Sequence, residues 1–334
     1  MKWLLTGGCG FLGTALIKML TCKKKHDIRI VDNLSTGTRV DLQLTAPDFV
    51  EIGVDKIGNT FCGVELIVGD ILNADLAILA AQGCETIVHF AANTGVSPSV
   101  VNPRQDMLTN VLGTFNYLEA ARINKVPRFI FASSGAPAGE VPPPIHEELP
   151  LHPVSPYGAS KLAGEGYCSA YKRTFGIDTI ILRFGNVYGP GSIHKESVVA
   201  KFIRHALAGQ PLEIYGDGSQ TRDFIYIDDL IDAVLLASAL PAIGGEAFQI
   251  ASNRETTVGE MATLLLGILK EAGIADLKLI NAETRLGDVK RNFSDTTKAR
   301  ERLGWSPKVD LTKGLQKTVD YFLRIYGKQN DRNL

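Results

Sequence analysis

Thr6-Gly7-Gly8-Cys9-Gly10-Phe11-Leu12-Gly13 stands between a short apolar run and a helical pattern. Gly7 permits a tight turn, Gly10 lets the backbone approach a pyrophosphate, and Gly13 allows a helix to pack closely on a sheet. The free N–H groups and positive end of the helix that follows would hold the phosphates. Asp32 closes the next apolar run, nineteen residues after Gly13. A carboxylate there accepts hydrogen bonds from adenosine ribose hydroxyls and repels a 2′-phosphate, so the pattern predicts NAD rather than NADP. Arg29 and Arg39, the nearest basic residues, read as solvated surface charges. Tyr157 and Lys161 are four apart, which places both on one face of a helix. A tyrosine ionises near pH ~10. A neighbouring ammonium and a cationic nicotinamide would both favour the phenolate and make it a usable base. Ser133 and Ser134 end another apolar run, where a serine could hydrogen-bond a substrate hydroxyl undergoing oxidation.

These groups need a scaffold. Apolar runs at 3–6, 28–32, 66–70, 86–92, 128–134 and 179–185 do not alternate, as suits strands buried on both faces. Helical patterns at 11–21, 74–81, 100–124 and 157–175 separate them. The alternation predicts an α/β fold, a doubly wound parallel Rossmann sheet. The carboxyl edge of such a sheet is where ligands bind. Residues 137–156 hold seven of the fifteen prolines and read as a long surface loop. Beyond Gly185 the pattern turns mixed, with helices expected at 197–207, 228–239 and 258–272 and strands at 212–215, 225–227 and 248–250. We read residues 1–185 as the dinucleotide-binding domain with the catalytic helix. Residues 186–328 read as mainly a smaller mixed α/β substrate lobe, with the chain crossing between lobes, and 329–334 as a tail. Asp70 ends a predicted strand, where it serves either adenine binding or a helix N-cap. His89 reads as a packed core histidine.

The 334 residues carry 35 Lys+Arg against 36 Asp+Glu, a formal net charge of -1. No basic excess drives nucleic-acid binding. No apolar run approaches the ~20 residues of a membrane helix, and Gly7-Gly8 interrupts the N-terminal run too early for a signal peptide. The five cysteines are scattered without paired spacing. That argues against a disulfide framework or a metal site and predicts a cytoplasmic protein.

Several motifs in order resemble the extended short-chain dehydrogenases/reductases, in the branch of NAD-dependent nucleotide-sugar epimerases and dehydratases. Besides T-G-G-x-G-F-L-G and Y-G-A-S-K, these are Asp32-Asn33, Asn110-Val111-x-Gly113-Thr114 and Leu182-Arg183-Phe184-Gly185-Asn186-Val187-Tyr188-Gly189-Pro190. Tyr215-Gly216-Asp217-Gly218-x-Gln220-Thr221-Arg222-Asp223 and Arg285-x-Gly287-Asp288 complete the set. The resemblance spans 2–324 and implies roles. Tyr157 is the acid/base, Lys161 its partner on the nicotinamide ribose, and Ser134 the catalytic serine. Gly7, Gly10, Phe11, Leu12, Gly13, Asp32, Asn33, Asp70, Ile71, Phe90, Ala91, Ala92 and Asn110 line the cofactor. Val96, Ser134, Asn186, Arg222, Arg285 and Asp288 meet a sugar nucleotide, the arginines on its diphosphate. A homodimer paired through the helices at 100–124 and 157–175 is implied as well. The loop Ser133-Ser134-Gly135-Ala136-Pro137 departs from the family's usual Val-Tyr-Gly, which leaves Ser133 open as the catalytic serine.

The reaction expected is a UDP-sugar 4-epimerisation by transient oxidation at C4, with UDP-glucose and UDP-galactose as the pair. UDP-glucuronate is the alternative sugar, with Lys195 or Arg183 meeting its carboxylate. Each of these cations also has a plainer reading, Lys195 as solvated and Arg183 as a buried structural ion pair. Dehydratases of the branch carry an Asp-Glu pair after the catalytic serine or threonine, where this chain has Gly135-Ala136. An inactive dinucleotide-binding relative is disfavoured by the intact Tyr157 and Lys161.

Overall fold

In the computed structural model, residues 1–22, 26–274, 277–283 and 289–330 are described. Fourteen strands are found among them: β1 (Lys2–Thr6), β2 (Asp27–Asp32), β3 (Val50–Glu51), β4 (Val64–Val68), β5 (Thr86–His89), β6 (Arg128–Ser134) and β7 (Asp178–Phe184). There follow β8 (Asn186–Tyr188), β9 (Leu212–Tyr215), β10 (Thr221–Arg222), β11 (Phe224–Tyr226), β12 (Ala247–Ile250), β13 (Thr256–Thr257) and β14 (Leu279–Ala282). Eight of these form one sheet in the order β12-β7-β6-β5-β1-β2-β4-β3. Every pairing in it is parallel.

The uninterrupted apolar strands have the expected cause. Leu4 and Leu5 are both fully buried, and they point into opposite cores. On one face, Leu5, Ile28 and Ile30 pack with Leu16, Ile17 and Leu20 of the helix Phe11–Cys22 and with Leu230, Ile231 and Val234 of the helix Ile227–Ala239. On the other, Leu4, Val31 and Ile87 pack with Leu76 and Ala80, with Tyr117 and Leu118, and with Cys168 and Tyr171. The chain leaves β1 for β2 on one side and places β5 on the other. The crevice at the carboxyl ends of β1 and β5 is thus the sheet's switch point.

Five expectations need correction. Strand β4 ends at Val68 and β5 at His89, so Asp70, Ala91 and Ala92 lie beyond the strands. The N-cap of the helix Ala74–Ala80 is Asn73, whose side chain accepts from Leu76 N; Asp70 is not the cap. The helix expected at 100–124 is broken. It begins as Val96–Val101, stops at Asn102, restarts as Pro103–Met107, widens into a π-helical turn at Leu108–Leu112 and ends as Gly113–Ile123. The break has a local cause, because a residue before proline is driven out of the helical region; Asn102 sits at φ -136, ψ 78. The proline-rich stretch is not wholly on the surface. Pro137, Ala138, Gly139 and Ile145 are buried, and Ile145 bridges to Ser294. Finally, the strand expected at 248–250 joins the main sheet beside β7, so residues beyond 186 complete the first layer as well as building a second.

That second layer is small. Strands β8 and β11 pair in parallel, as do β9 and β14, while β10 pairs antiparallel with β13. The helices Val198–Leu207 and Val258–Glu271 flank them. A C-terminal helix, Leu311–Asn330, buries Leu311, Leu315, Val319 and Phe322. Their spacing of three and four is a helical stripe that sequence reading passed over.

Candidate active site

The glycine-rich turn is built as its spacing requires. Gly7 has φ +70, and a Cβ there would come within 2.9 Å of Ala91 N. A Cβ on Gly13 would lie 2.4 Å from Gly7 O and 2.5 Å from Gly8 Cα, so the helix is seated against the turn. A Cβ on Gly10 would meet only Gly7 O, at 3.3 Å. The space before the helix Phe11–Cys22 is therefore open, and its first-turn N–H groups, including those of Phe11 and Leu12, have no partners within the helix. Asp32 curls into the same turn. Its Oδ2 accepts from Cys9 N at 2.9 Å and its Oδ1 from Leu34 N at 2.8 Å. Burial raises its pKa, and these two backbone donors oppose the rise. Each oxygen keeps a lone pair for a ribose hydroxyl. Arg29 and Arg39 differ from one another: Arg29 is buried against Glu65 and three carbonyls, while Arg39 pairs with Glu51 at the surface. The turn, the open helix end and the buried carboxylate fit a dinucleotide.

Asn33 Nδ2 donates to Asp70 Oδ2 at 2.9 Å, and Asp70 Oδ1 accepts from Leu72 N, which joins the ends of β2 and β4. Ile71 is buried beneath Gly113, and its carbonyl accepts from Asn116. Phe90 and Ala91 follow β5, both N–H groups donating to Thr6 O, and Ala92 continues the same edge. Asn110 does not offer its amide to a ligand. Its Nδ2 donates to Asn93 O, Asp106 Oδ1 and Ser160 Oγ, and its Oδ1 accepts from Asn93 N. Only 1% exposed, it braces the connection behind the β5 edge. His89 is a core residue, stacked among Phe129, Phe131 and Tyr117 and bonded to Thr6.

Tyr157 opens the helix Pro156–Phe175, capped by Ser155, whose Oγ accepts from Gly158 N. Pro156 suits the first helical position, where no N–H is needed. Tyr157 N donates to Ser99 Oγ, and Ser99 is tied in turn to the Val96 carbonyl. One turn on, Lys161 Nζ donates to Ala132 O at 2.8 Å and lies 6.0 Å from the Tyr157 ring centroid. The Ser134 hydroxyl lies on the tyrosine's side of the strand and acts to lower the Tyr157 pKa. Ser133 points the other way. Its Oγ donates to Glu165 Oε1 at 2.5 Å, beneath the strand. Strand alternation thus puts Ser134, and not Ser133, beside the tyrosine. Burial holds the Tyr157 phenol up at about 12, and the Ser134 hydroxyl works against that rise. Burial also lowers Lys161 to about 8.

Two residues at the site escaped sequence reading. Glu165 continues the Tyr157–Lys161 spacing by one more turn, a signal that was available. Both its oxygens accept from Arg183, at 2.9 and 2.7 Å. Asp106, 1% exposed, carries a charge felt by Tyr157 and Lys161; burial raises its pKa, and its Oδ1 accepts from Asn110 Nδ2 at 3.0 Å. In the second half of the chain Asn186 is exposed on β8, and Arg222 is held by the carbonyls of Thr221 and Val289. Arg285 and Asp288 lie outside the described residues. No group of His, Cys, Asp and Glu suited to a metal is found among the described residues, and no described helix is long and apolar enough to cross a membrane.

Comparison with known proteins agrees with this geometry. The profile of the NAD dependent epimerase/dehydratase family matches residues 3–251. A UDP-glucose 4-epimerase of Mycolicibacterium smegmatis is 38% identical over 327 residues, covering 96% of this chain and 98% of its own. The crystal structure of Thermotoga maritima UDP-glucose 4-epimerase with UDP-glucose superposes with a TM-score of 0.86 at 34% identity, over 98% of this chain and 100% of that one. A UDP-glucuronic acid 4-epimerase from Bacillus cereus, solved with UDP-glucuronic acid and NAD, gives the same TM-score at 30% identity, again over 98% and 100%. With a Rossmann sheet, a dinucleotide turn and a Tyr-Lys-Ser cluster at its carboxyl edge, the chain belongs to the NAD dependent epimerase/dehydratase family of enzymes.

Proposed function

We propose that the chain is a UDP-hexose 4-epimerase that interconverts UDP-glucose and UDP-galactose. The glycine-rich turn and Asp32 would hold NAD, which would supply a reversible hydride acceptor for C4 of the sugar. Tyr157 takes the proton from the C4 hydroxyl and gives it back. Ser134, beside the same phenol, shares that hydroxyl and keeps it aligned. Lys161 supplies positive charge behind the tyrosine and reaches the nicotinamide ribose. A phenol held at about 12 is a weak base at neutral pH, so this step depends on the added charge of the oxidised nicotinamide. Asp32 favours NAD over NADP. Gly7, Gly10, Phe11, Leu12 and Gly13 cradle the pyrophosphate, while Asn186 and Arg222 meet the substrate diphosphate.

The observation that carries the choice of sugar is the fate of the two candidate cations. Arg183 is locked in a buried bidentate pair with Glu165. Lys195 lies over the Phe11 ring, at the cofactor turn. Neither is placed as the partner a C6 carboxylate would need on leaving water. Gly135-Ala136 supplies no acid for dehydration. Incubation with UDP-glucose, followed by proton NMR, tests the reading. UDP-galactose should appear without net NADH. Loss of water to a 4-keto-6-deoxy product, or much faster turnover of UDP-glucuronate, would overturn it. The exposed Met107, Leu112 and Tyr167, on helices near the site, support a homodimer paired through these helices, and the five free cysteines suit the cytoplasm.

A further inference from the structure

Lys195 sits on the loop between β8 and the helix Val198–Leu207, in the second half of the chain. The loop is tied down from several directions. Ser192 Oγ donates to Gly189 O at 2.7 Å, Lys195 N donates to Ser192 O at 2.9 Å, and Arg204 Nη1 donates to Ile193 O at 2.7 Å and to Lys195 O at 2.5 Å. His194 Nε2 lies 3.3 Å from Asp41 Oδ2, which anchors the loop to the segment following β2. A Cβ on Gly191, whose φ is +91, would lie 3.5 Å from the Phe11 ring. The loop therefore packs on the residue that opens the dinucleotide helix. Lys195 Nζ is aimed at that same residue, 5.2 Å from the Phe11 ring centroid.

Among the described residues, Lys195 has no ion pair and no side-chain hydrogen bond. Burial alone lowers its pKa, to about 8, and neither Tyr157 nor Lys161 contributes to the shift. A groove of about 550 Å³, lined by Ser35, Thr36, Ile193 and His194 among others, runs between this loop and the segment that follows Asp32 and Asn33.

We propose that Lys195 is a pyrophosphate ligand of the dinucleotide, reaching from the second half of the chain to the glycine-rich turn. A partly desolvated ammonium without an anion beside it, set over the first residue of a phosphate-holding helix, is completed by a phosphate oxygen. The neighbouring N–H groups supply dipoles but no net charge, so Lys195 supplies the full positive charge there. The cofactor is then gripped by both halves of the chain. This inference rests on NAD as the cofactor and not on the identity of the sugar.

The test uses the whole chain, stripped of nucleotide, and calorimetric titration with NAD, ADP-ribose and adenosine. Lys195→Gln should weaken NAD and ADP-ribose about ten-fold or more, the scale of one charge-assisted hydrogen bond. Adenosine, which has no phosphate, should bind as it does to wild type. Lys195→Arg should restore most of the affinity, and the gap between wild type and Lys195→Gln should narrow with added salt. Unchanged NAD and ADP-ribose affinity in Lys195→Gln overturns the assignment. So does an equal loss for adenosine, which would mean a deformed loop. A raised KM for UDP-glucose with NAD affinity intact overturns it too, by assigning the charge to the substrate. Wild type that binds no NAD would fail the cofactor reading itself, a different result from a variant that binds as well as wild type.

Discussion

Glu165→Gln probes the layer beneath the catalytic strand. Glu165 and Arg183 side chains are each 6% exposed, and the carboxylate takes two guanidinium N–H bonds and the Ser133 hydroxyl. Removing one charge of a buried pair costs about 3–5 kcal/mol, because the other is left uncompensated. The amide oxygen can still accept one of the three donors, which returns about 1 kcal/mol. We expect a net loss of about 2–4 kcal/mol, large against the ~5–15 kcal/mol stability of a typical fold. Urea unfolding at saturating NAD, followed by the fluorescence of the buried Trp3 and Trp305, reads the change. Replacing both partners, as Glu165→Leu with Arg183→Met, should recover more than half of it, since apolar isosteres leave no charge stranded. A loss below about 1 kcal/mol in the single variant would show that water reaches Arg183 and that the pair is not the buried unit described.

Other outcomes follow from neighbouring contacts. Ser134→Ala should slow epimerisation with little change in stability, whereas Ser133→Ala should cost about 1.5–3 kcal/mol of stability with turnover per folded molecule nearly kept; the reverse pattern in kcat and urea midpoint would put the wrong serine at the tyrosine. Gly10→Ala should fold normally but hold NAD poorly, because its Cβ meets one carbonyl at 3.3 Å and otherwise fills the phosphate space, while Gly13→Ala, with backbone at 2.4 Å, should lower the melting temperature as well. Burial pushes His89 down to about 3 in the fold, against 6.5 for the free side chain. The unfolded chain therefore binds a proton that the fold refuses: stability is held above pH ~6.5 and lost toward pH ~3, by up to ~1.4 kcal/mol per pH unit. His89→Asn should flatten that slope, and an unchanged slope would count against a neutral buried imidazole.

The legible parts of the chain were those whose meaning is local. Gly7, Gly10, Gly13 and Asp32 encode a turn and a strand end within one βαβ unit, and β6 was bounded to the residue because Arg128 on one side and Ser133-Ser134 on the other flank the apolar run Phe129–Ala132. The helix before the site was misjudged because its apolar pattern continues through Pro103, and only the backbone cost at Asn102 stops it. Ser133 and Ser134 are chemically alike, and only the alternation of β6 about a buried Glu165 separates them. Asn110 carries the family motif but spends its amide on protein partners that no spacing reveals. The place of Phe248–Ile250 in the main sheet is a long-range fact, because a four-residue apolar strand does not name its neighbour.

That last strand constrains how the molecule is made. Until Ile250 has left the ribosome, β7 is an open edge, and its unpaired N–H and C=O groups are free to recruit another chain. The helix Ile227–Ala239, which covers one face of the sheet, is synthesised in the same interval. A chain cut at 185 would therefore expose both a bare edge and an uncovered apolar face, and it should associate or be degraded. For this protein the dinucleotide fold is finished by residues from its second half, and translation must run about three-quarters of its course before the first half is safe.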